Sequence, residues 1–196
     1  MATTYMHAVA SLDGYIAAPD DNVGPLFDWY FNGDQPLLDD DHETFRVSAE
    51  SAEYVRGIWS RQEVIVIGRR LFDLTNGWEG NPPACEHAVV VSHRPRPEGW
   101  HPEASYQFAT SVKEAMAMAQ ELAGDGEIGV TAGNVGGQAL ALGLIDYVAI
   151  DVAPVVFGRG KPYFGSFAEG PQLLEDPDVV ISGDRVLHLR YPVRKG

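Results

Sequence analysis

Only one cysteine, Cys85, occurs in 196 residues. No internal disulfide can form, which suits a reducing cytoplasm, and Cys85 reads as a spare thiol in a Pro-rich loop. Positive charge is also scarce: 14 lysines and arginines face 28 aspartates and glutamates, for a net charge of -14. No basic run exists, so nucleic-acid binding through phosphate neutralisation is not expected. An anionic membrane would repel such a surface. No apolar run approaches the ~18 residues of a membrane span. The first six residues lack the cationic-then-apolar order of a signal peptide, so a cytoplasmic location is expected. His42, His87, His101 and His188 show no ligand spacing with carboxylates or the cysteine, and no metal is expected. Repeats, low-complexity tracts and linkers are missing too, so 1–196 reads as one domain. Any anionic ligand must be held locally, by a few arginines and backbone N–H groups acting against the global field.

What is present alternates between two periodicities. Residues 5–10 are a short apolar strand, followed by the turn-like Ser11-Leu12-Asp13-Gly14. Residues 18–41 interleave Asp, Gly, Pro and Asn with Phe27, Trp29, Tyr30 and Phe31; so long a connection is functional or holds short helical pieces. Residues 49–61 carry Ala52, Val55, Ile58 and Trp59 on one helical face. The β-branched run 63–67 predicts a strand buried on both faces, ending at Gly68. A second such run is 87–91 and a third is 127–131. Between them, 111–123 is the clearest helix, with Ser111 and Glu114 in a capping-box pattern and Gly124 as its stop. A short helix is expected over 136–142 and a long strand over 146–157. Segments 179–182 and 185–191 flank Gly183-Asp184 as a hairpin. This order predicts an α/β fold with a mostly parallel central sheet and an antiparallel C-terminal hairpin.

Ligands of open α/β sheets bind beyond the carboxyl ends of the strands. Ser11-Leu12-Asp13-Gly14 follows the first strand, Gly68-Arg69-Arg70 the second, Ser92-His93-Arg94 the third, and Gly133-Asn134-Val135-Gly136-Gly137-Gln138 the fourth. The glycines let backbone approach a pyrophosphate, and the helix after them offers free N–H groups and a positive dipole end. Arg69 or Arg70 can clamp a phosphate bidentately. Ser92, His93 and Arg94 suit an adenosine 2′-phosphate, which favours NADPH over NADH. Singly, each segment also reads as an ordinary turn or a solvated charge, and the spacing is not that of the Rossmann fingerprint. Gly136→Val is expected to abolish coenzyme binding and spare the fold.

Ser11-Leu12-Asp13-Gly14-Tyr15-Ile16-Ala17, Val66-Ile67-Gly68-Arg69-Arg70-Leu71-Phe72, Gly133 to Leu140 and Ala153 to Pro162 occur in order. This set resembles the stand-alone relatives of the C-terminal reductase domain of bifunctional riboflavin-biosynthesis deaminase-reductases, a group similar in fold to dihydrofolate reductase. The resemblance implies a three-layer dihydrofolate-reductase-like domain and a homodimer, for which the C-terminal hairpin and sheet edge are plausible surfaces. It implies NADPH-dependent reduction of a heterocyclic or sugar-imine substrate, similar to 5-amino-6-(5-phosphoribosylamino)uracil. A pterin reductase, a flavin- or deazaflavin-using enzyme and a non-catalytic nucleotide-binding protein are the alternatives. His7 stands where the riboflavin reductases carry a lysine, four residues before the serine. The segment from Ala10 to Ile16 would line the nicotinamide. Asp28, between Phe27 and Trp29, is the expected proton donor, its pKa raised by those aromatics. Asp13 reads as a turn former or a substrate contact. Trp29 and Trp78 read as stacking platforms or as core. Arg159 reads as a substrate-phosphate ligand or a solvated cation, and Asp151 as a structural hydrogen-bonder.

Overall fold

Three β-branched or Val-rich runs form the middle of the sheet because buried strands accept such side chains on both faces. The structure, a computed structural model, describes residues 1–37, 45–168 and 170–195. Its strands are β1 (Thr4–Ser11), β2 (Tyr15–Ala17), β3 (Gln35–Pro36), β4 (Arg46–Val47), β5 (Gln62–Gly68), β6 (His87–Val91), β7 (Tyr106–Ala109), β8 (Glu127–Thr131), β9 (Tyr147–Ala153), β10 (Lys161–Pro162), β11 (Val179–Gly183) and β12 (Val186–Pro192). Its α-helices are α1 (Ala49–Trp59), α2 (Arg69–Thr75), α3 (Val112–Ala123) and α4 (Asn134–Ala141), and 3-10 segments cover Gly24–Phe31 and Asn76–Gly80.

The main sheet has eight strands in the order β11-β12-β9-β1-β8-β5-β6-β7. Every neighbouring pair from β9 to β7 is parallel, and β12 runs antiparallel to both β9 and β11. The mostly parallel sheet with a C-terminal hairpin is therefore as expected. The four strands whose carboxyl ends drew attention, β1, β8, β5 and β6, are consecutive in it.

Side chains alternate across the pleat, which gives the two faces different cores. One face is continuous: Met6, Val64, Val66, Val89, Ile128 and Val130 pack under α3 and α4. The other face is split. Val9, Ala153 and Val186 pack with Leu26, Trp29, Ala52 and Val55 at one end. Ile67, Ala88 and Val90 pack with Phe72 and Tyr106 at the other. His7 of β1, which pairs with Thr131 of β8, belongs to neither cluster.

Several element ends differ from expectation. Gly68-Arg69-Arg70 is no turn: Gly68 ends β5 and caps α2, which starts at Arg69. Helix α4 starts at Asn134, two residues early, and β9 stops at Ala153, because Pro154 has no N–H for a ladder. Strand β7, with four residues, was too short to stand out. Ser111 accepts from the Glu114 N–H as a cap should, but the Glu114 carboxylate turns to the N–H and hydroxyl of Thr110, one residue before the cap. Of the long 18–41 segment, Gly24–Phe31 is helical as the short-helix reading allows; residues 38–41 and His42 lie outside the described residues.

Candidate functional site

The sheet's carboxyl edge is ragged, and this shapes the site. At His7 the neighbouring β8 has reached its last residue, Thr131, while β1 continues to Ser11. The chain leaving β8 turns toward the α3 and α4 face, where Gly136 packs on Met6. On the opposite face the His7 side chain keeps 26% of its surface exposed.

The loops around this edge are tied to one another. Asp13 accepts hydrogen bonds from the Ser11 hydroxyl (2.6 Å), the Phe157 N–H (3.1 Å) and the Gly158 N–H (2.7 Å). The Ser11 hydroxyl above all, with the two amides, holds this exposed carboxyl below the usual range. Asp13 thus joins the segment after β1 to the one after β9. Ile16 lies over Gly133, whose φ of 84° suits glycine. Ala10 is fully buried beneath this layer.

The arginines are already employed. Arg69 donates to Asp73 (2.7 Å), to the Ser92 hydroxyl (3.3 Å) and to the Arg94 and Pro95 carbonyls (3.3 and 3.1 Å). Arg94 meets the same Asp73 carboxylate at 2.5 Å, and the Ser92 hydroxyl donates to the Arg94 carbonyl at 2.6 Å. These contacts knit the ends of β5 and β6 into one unit. The two guanidinium groups hold Asp73 below the usual carboxylate range, Arg69 contributing most. Arg70 is exposed and pairs with Asp21 of the segment after β2. His93 and Arg159 are exposed.

The glycine cluster has another explanation than close phosphate approach. A Cβ on Gly136 would meet the Thr131 carbonyl at 2.8 Å and Met6 at 2.9 Å, and one on Gly137 would collide with the Phe164 carbonyl. Both are buried, so their small size lets α4 lie against β8 and the segment after β10. Gly136→Val would disturb the fold, contrary to expectation. Gly133 donates to the Tyr163 carbonyl (2.6 Å), and the Asn134 amide oxygen accepts from the Ser166 N–H (3.2 Å). Asn134 and Gln138 are exposed, whereas Val135 is buried.

Two expectations for the 3-10 segment are corrected. Trp29 is 1% exposed and stacks on Tyr30 in the core, so it offers no surface to a ligand. Asp28 is exposed; Trp29 turns into the core and Phe27 is itself exposed, so the two do not enclose it. Trp78 packs at the rim of the second cluster.

Sequence reasoning passed over the most ordered polar group of this face. His7 Nε2 lies 2.9 Å from Asp151, whose other oxygen lies 2.6 Å from His188 Nδ1; His188 Nε2 lies 2.9 Å from the Ser51 hydroxyl. Asp151 and His188 are fully buried. Burial alone would push the Asp151 carboxyl up, but the His7 charge and the hydrogen bonds from both imidazoles hold it far below its ordinary value. Burial likewise works against a charged His7, and the Asp151 carboxylate outweighs it and holds the imidazole up. A polar residue inside each of three largely apolar strands was the available signal, since buried polar groups must find partners. Among the described residues no group of three or more His, Cys, Asp or Glu side chains could hold a metal ion, and no helix is long and apolar enough to cross a membrane.

No protein-family model and no curated protein matches the chain. Solved structures do. A chain assigned to riboflavin biosynthesis from Shewanella sp. PV-4 matches at 21% identity with a TM-score of 0.69, over 98% of this chain and 99% of that one. A pyrimidine reductase-like protein from Corynebacterium diphtheriae matches at 16% identity and TM-score 0.65, over 100% and 93%. The diaminohydroxyphosphoribosylaminopyrimidine deaminase/5-amino-6-(5-phosphoribosylamino)uracil reductase of Thermotoga maritima matches at 14% identity and TM-score 0.65, over 98% of this chain but only 57% of that one. The fold is that of these proteins.

Proposed function

We propose that this chain is an NADPH-dependent reductase of a small heterocyclic or sugar-imine substrate, of the kind represented by 5-amino-6-(5-phosphoribosylamino)uracil. The observation that carries the reading is the juxtaposition at one sheet edge. Consecutive strands β1, β8, β5 and β6 carry an aspartate turn, a helix N-terminus and two arginine-bearing segments at their carboxyl ends. The coenzyme would supply the hydride; the protein's part is to hold it, orient the acceptor and manage a proton.

The residues divide accordingly. Gly68, Arg69, Arg70, Ser92, His93 and Arg94 would form the adenosine-phosphate side, Arg94 and Arg70 meeting the anion and Arg69 fixing the loop. The stretch from Gly133 to Gln138 would face the pyrophosphate through Asn134, Gln138 and the first N–H groups of α4. Ala10, Ile16 and Asp13 would frame the nicotinamide. Arg159, exposed beyond β9, would meet a substrate phosphate. A homodimer belongs to the same reading, supported by Val180 and Leu187, which stand 60% and 36% exposed on the C-terminal hairpin.

The test is NADPH oxidation by the purified chain, with 5-amino-6-(5-phosphoribosylamino)uracil and dihydrofolate offered separately. Turnover of the first alone supports the sugar-imine reading. Turnover of dihydrofolate alone moves the chain to the pterin alternative. A chain that binds NADPH and reduces neither substrate overturns both.

A further inference from the structure

The polar chain Ser51–His188–Asp151–His7 is buried at one end and open at the other. Three of its members are fully buried, and only His7 is partly exposed. Ser51 sits on α1, His188 on β12, Asp151 on β9 and His7 on β1, so the array crosses from a helix to the centre of the sheet. A structural role alone would explain a buried pair. It does not explain why the array ends on a partly exposed imidazole whose second nitrogen has no hydrogen-bond partner among the described residues.

We propose that His7 is the proton donor of the reduction. This rests on the reductase reading above. With Nε2–H donating to Asp151, the Nδ1–H of the imidazolium is the remaining donor. Reduction of a C=N bond adds a hydride to carbon and a proton to nitrogen. The nicotinamide gives up the hydride and is oxidised, the C=N π bond breaks, and the nitrogen takes the proton from His7 Nδ1. His7 is left as the neutral Nε2–H tautomer, still bonded to Asp151, and regains its proton from water. Asp151 is a positioning residue: it fixes the ring and stabilises the charge that His7 must carry beforehand.

Among the described residues, the groups that act on this array from the elements around it are Tyr30 of the 3-10 segment, Tyr54 of α1 and Tyr163 after β10, all three pushed up chiefly by burial. They stay neutral throughout the working range. Arg190 lies further along β12, paired with Asp178. None competes with His7 as a titrating group near neutrality.

The experiment is an NMR titration of the free protein's imidazoles, joined to pH profiles of NADPH oxidation with 5-amino-6-(5-phosphoribosylamino)uracil. The His7 midpoint should lie above about 6.5, the ordinary histidine value, and fall below it in Asp151→Asn. His7→Gln, at a partly exposed position, should fold normally and bind NADPH within about twofold of the parent. Its turnover should fall by ~10²–10⁴-fold, the usual loss of a general acid. His7→Lys should recover activity, with the alkaline limb of kcat/KM moved to higher pH. If His7→Gln loses less than about tenfold, or the alkaline limb is unmoved in both variants, the proposal fails while the reductase reading stands. If the parent chain binds no NADPH, the reductase reading fails and takes the proposal with it.

Discussion

Asp151 is the residue on which the buried polar array of His7, His188 and Ser51 converges. Truncating one partner of a buried charged pair costs about 3–5 kcal/mol, because it strands the other. Asp151→Ala is therefore expected to lose stability in that range by urea denaturation, far more than the change of less than ~1 kcal/mol expected for the exposed Arg70→Ala. The pH dependence has two edges. His7 is held above its unfolded value, so its contribution is full below about pH 6.5 and is lost as pH rises through the folded midpoint. Asp151 is held below its unfolded value, so its contribution is present above about pH 3.9 and is lost as pH falls through the folded midpoint. Stability should thus peak between those limits, and the alkaline edge should vanish in Asp151→Asn. From sequence alone, His7 appeared only as a departure from the lysine of similar reductases, and Asp151 as a hydrogen-bonder. The partnership was hidden because it depends on β1, β9 and β12 lying side by side, although 144 positions separate His7 from Asp151.

At the scale of elements, helix α4 shows why a motif can be found correctly and explained wrongly. The glycine cluster was visible, and it does open a helix at the carboxyl end of a buried strand. Its two middle glycines, however, answer to packing against Thr131, Met6 and Phe164. Gly136→Val is accordingly expected to destabilise the fold by about 1–3 kcal/mol or more, as overpacking does, and chemical denaturation would show it before any ligand is added. The strands were legible because burial on both faces leaves continuous apolar runs, as in 63–67 and 127–131. Helix α3 was legible from its cap and its stripe. Strand β7 and helix α2 were not: Tyr106–Ala109 is short, and Arg69 and Arg70 hide the start of a helix whose single fully buried side chain is Phe72. Split coverage of one sheet face is a tertiary fact with no local signature.

The whole molecule carries a net charge of -14, so an anionic coenzyme must be drawn by local groups against a repulsive field. Raising salt should weaken this repulsion and the arginine contacts together. Specificity between coenzymes is therefore a sharper readout than affinity at one ionic strength. Assembly is a second property at this scale. If the hairpin joins two copies, Val180→Asp should shift the chain from dimer to monomer in light scattering, and an unchanged mass would remove the hairpin from that role. The central claim concerns the rim built by β1, β8, β5 and β6, and its most direct test is a calorimetric titration with NADPH and with NADH, repeated on Arg94→Ser. The account predicts tighter binding of NADPH and erosion of that preference in the variant; equal affinity for both coenzymes, or a preference for NADH in the parent chain, would contradict it.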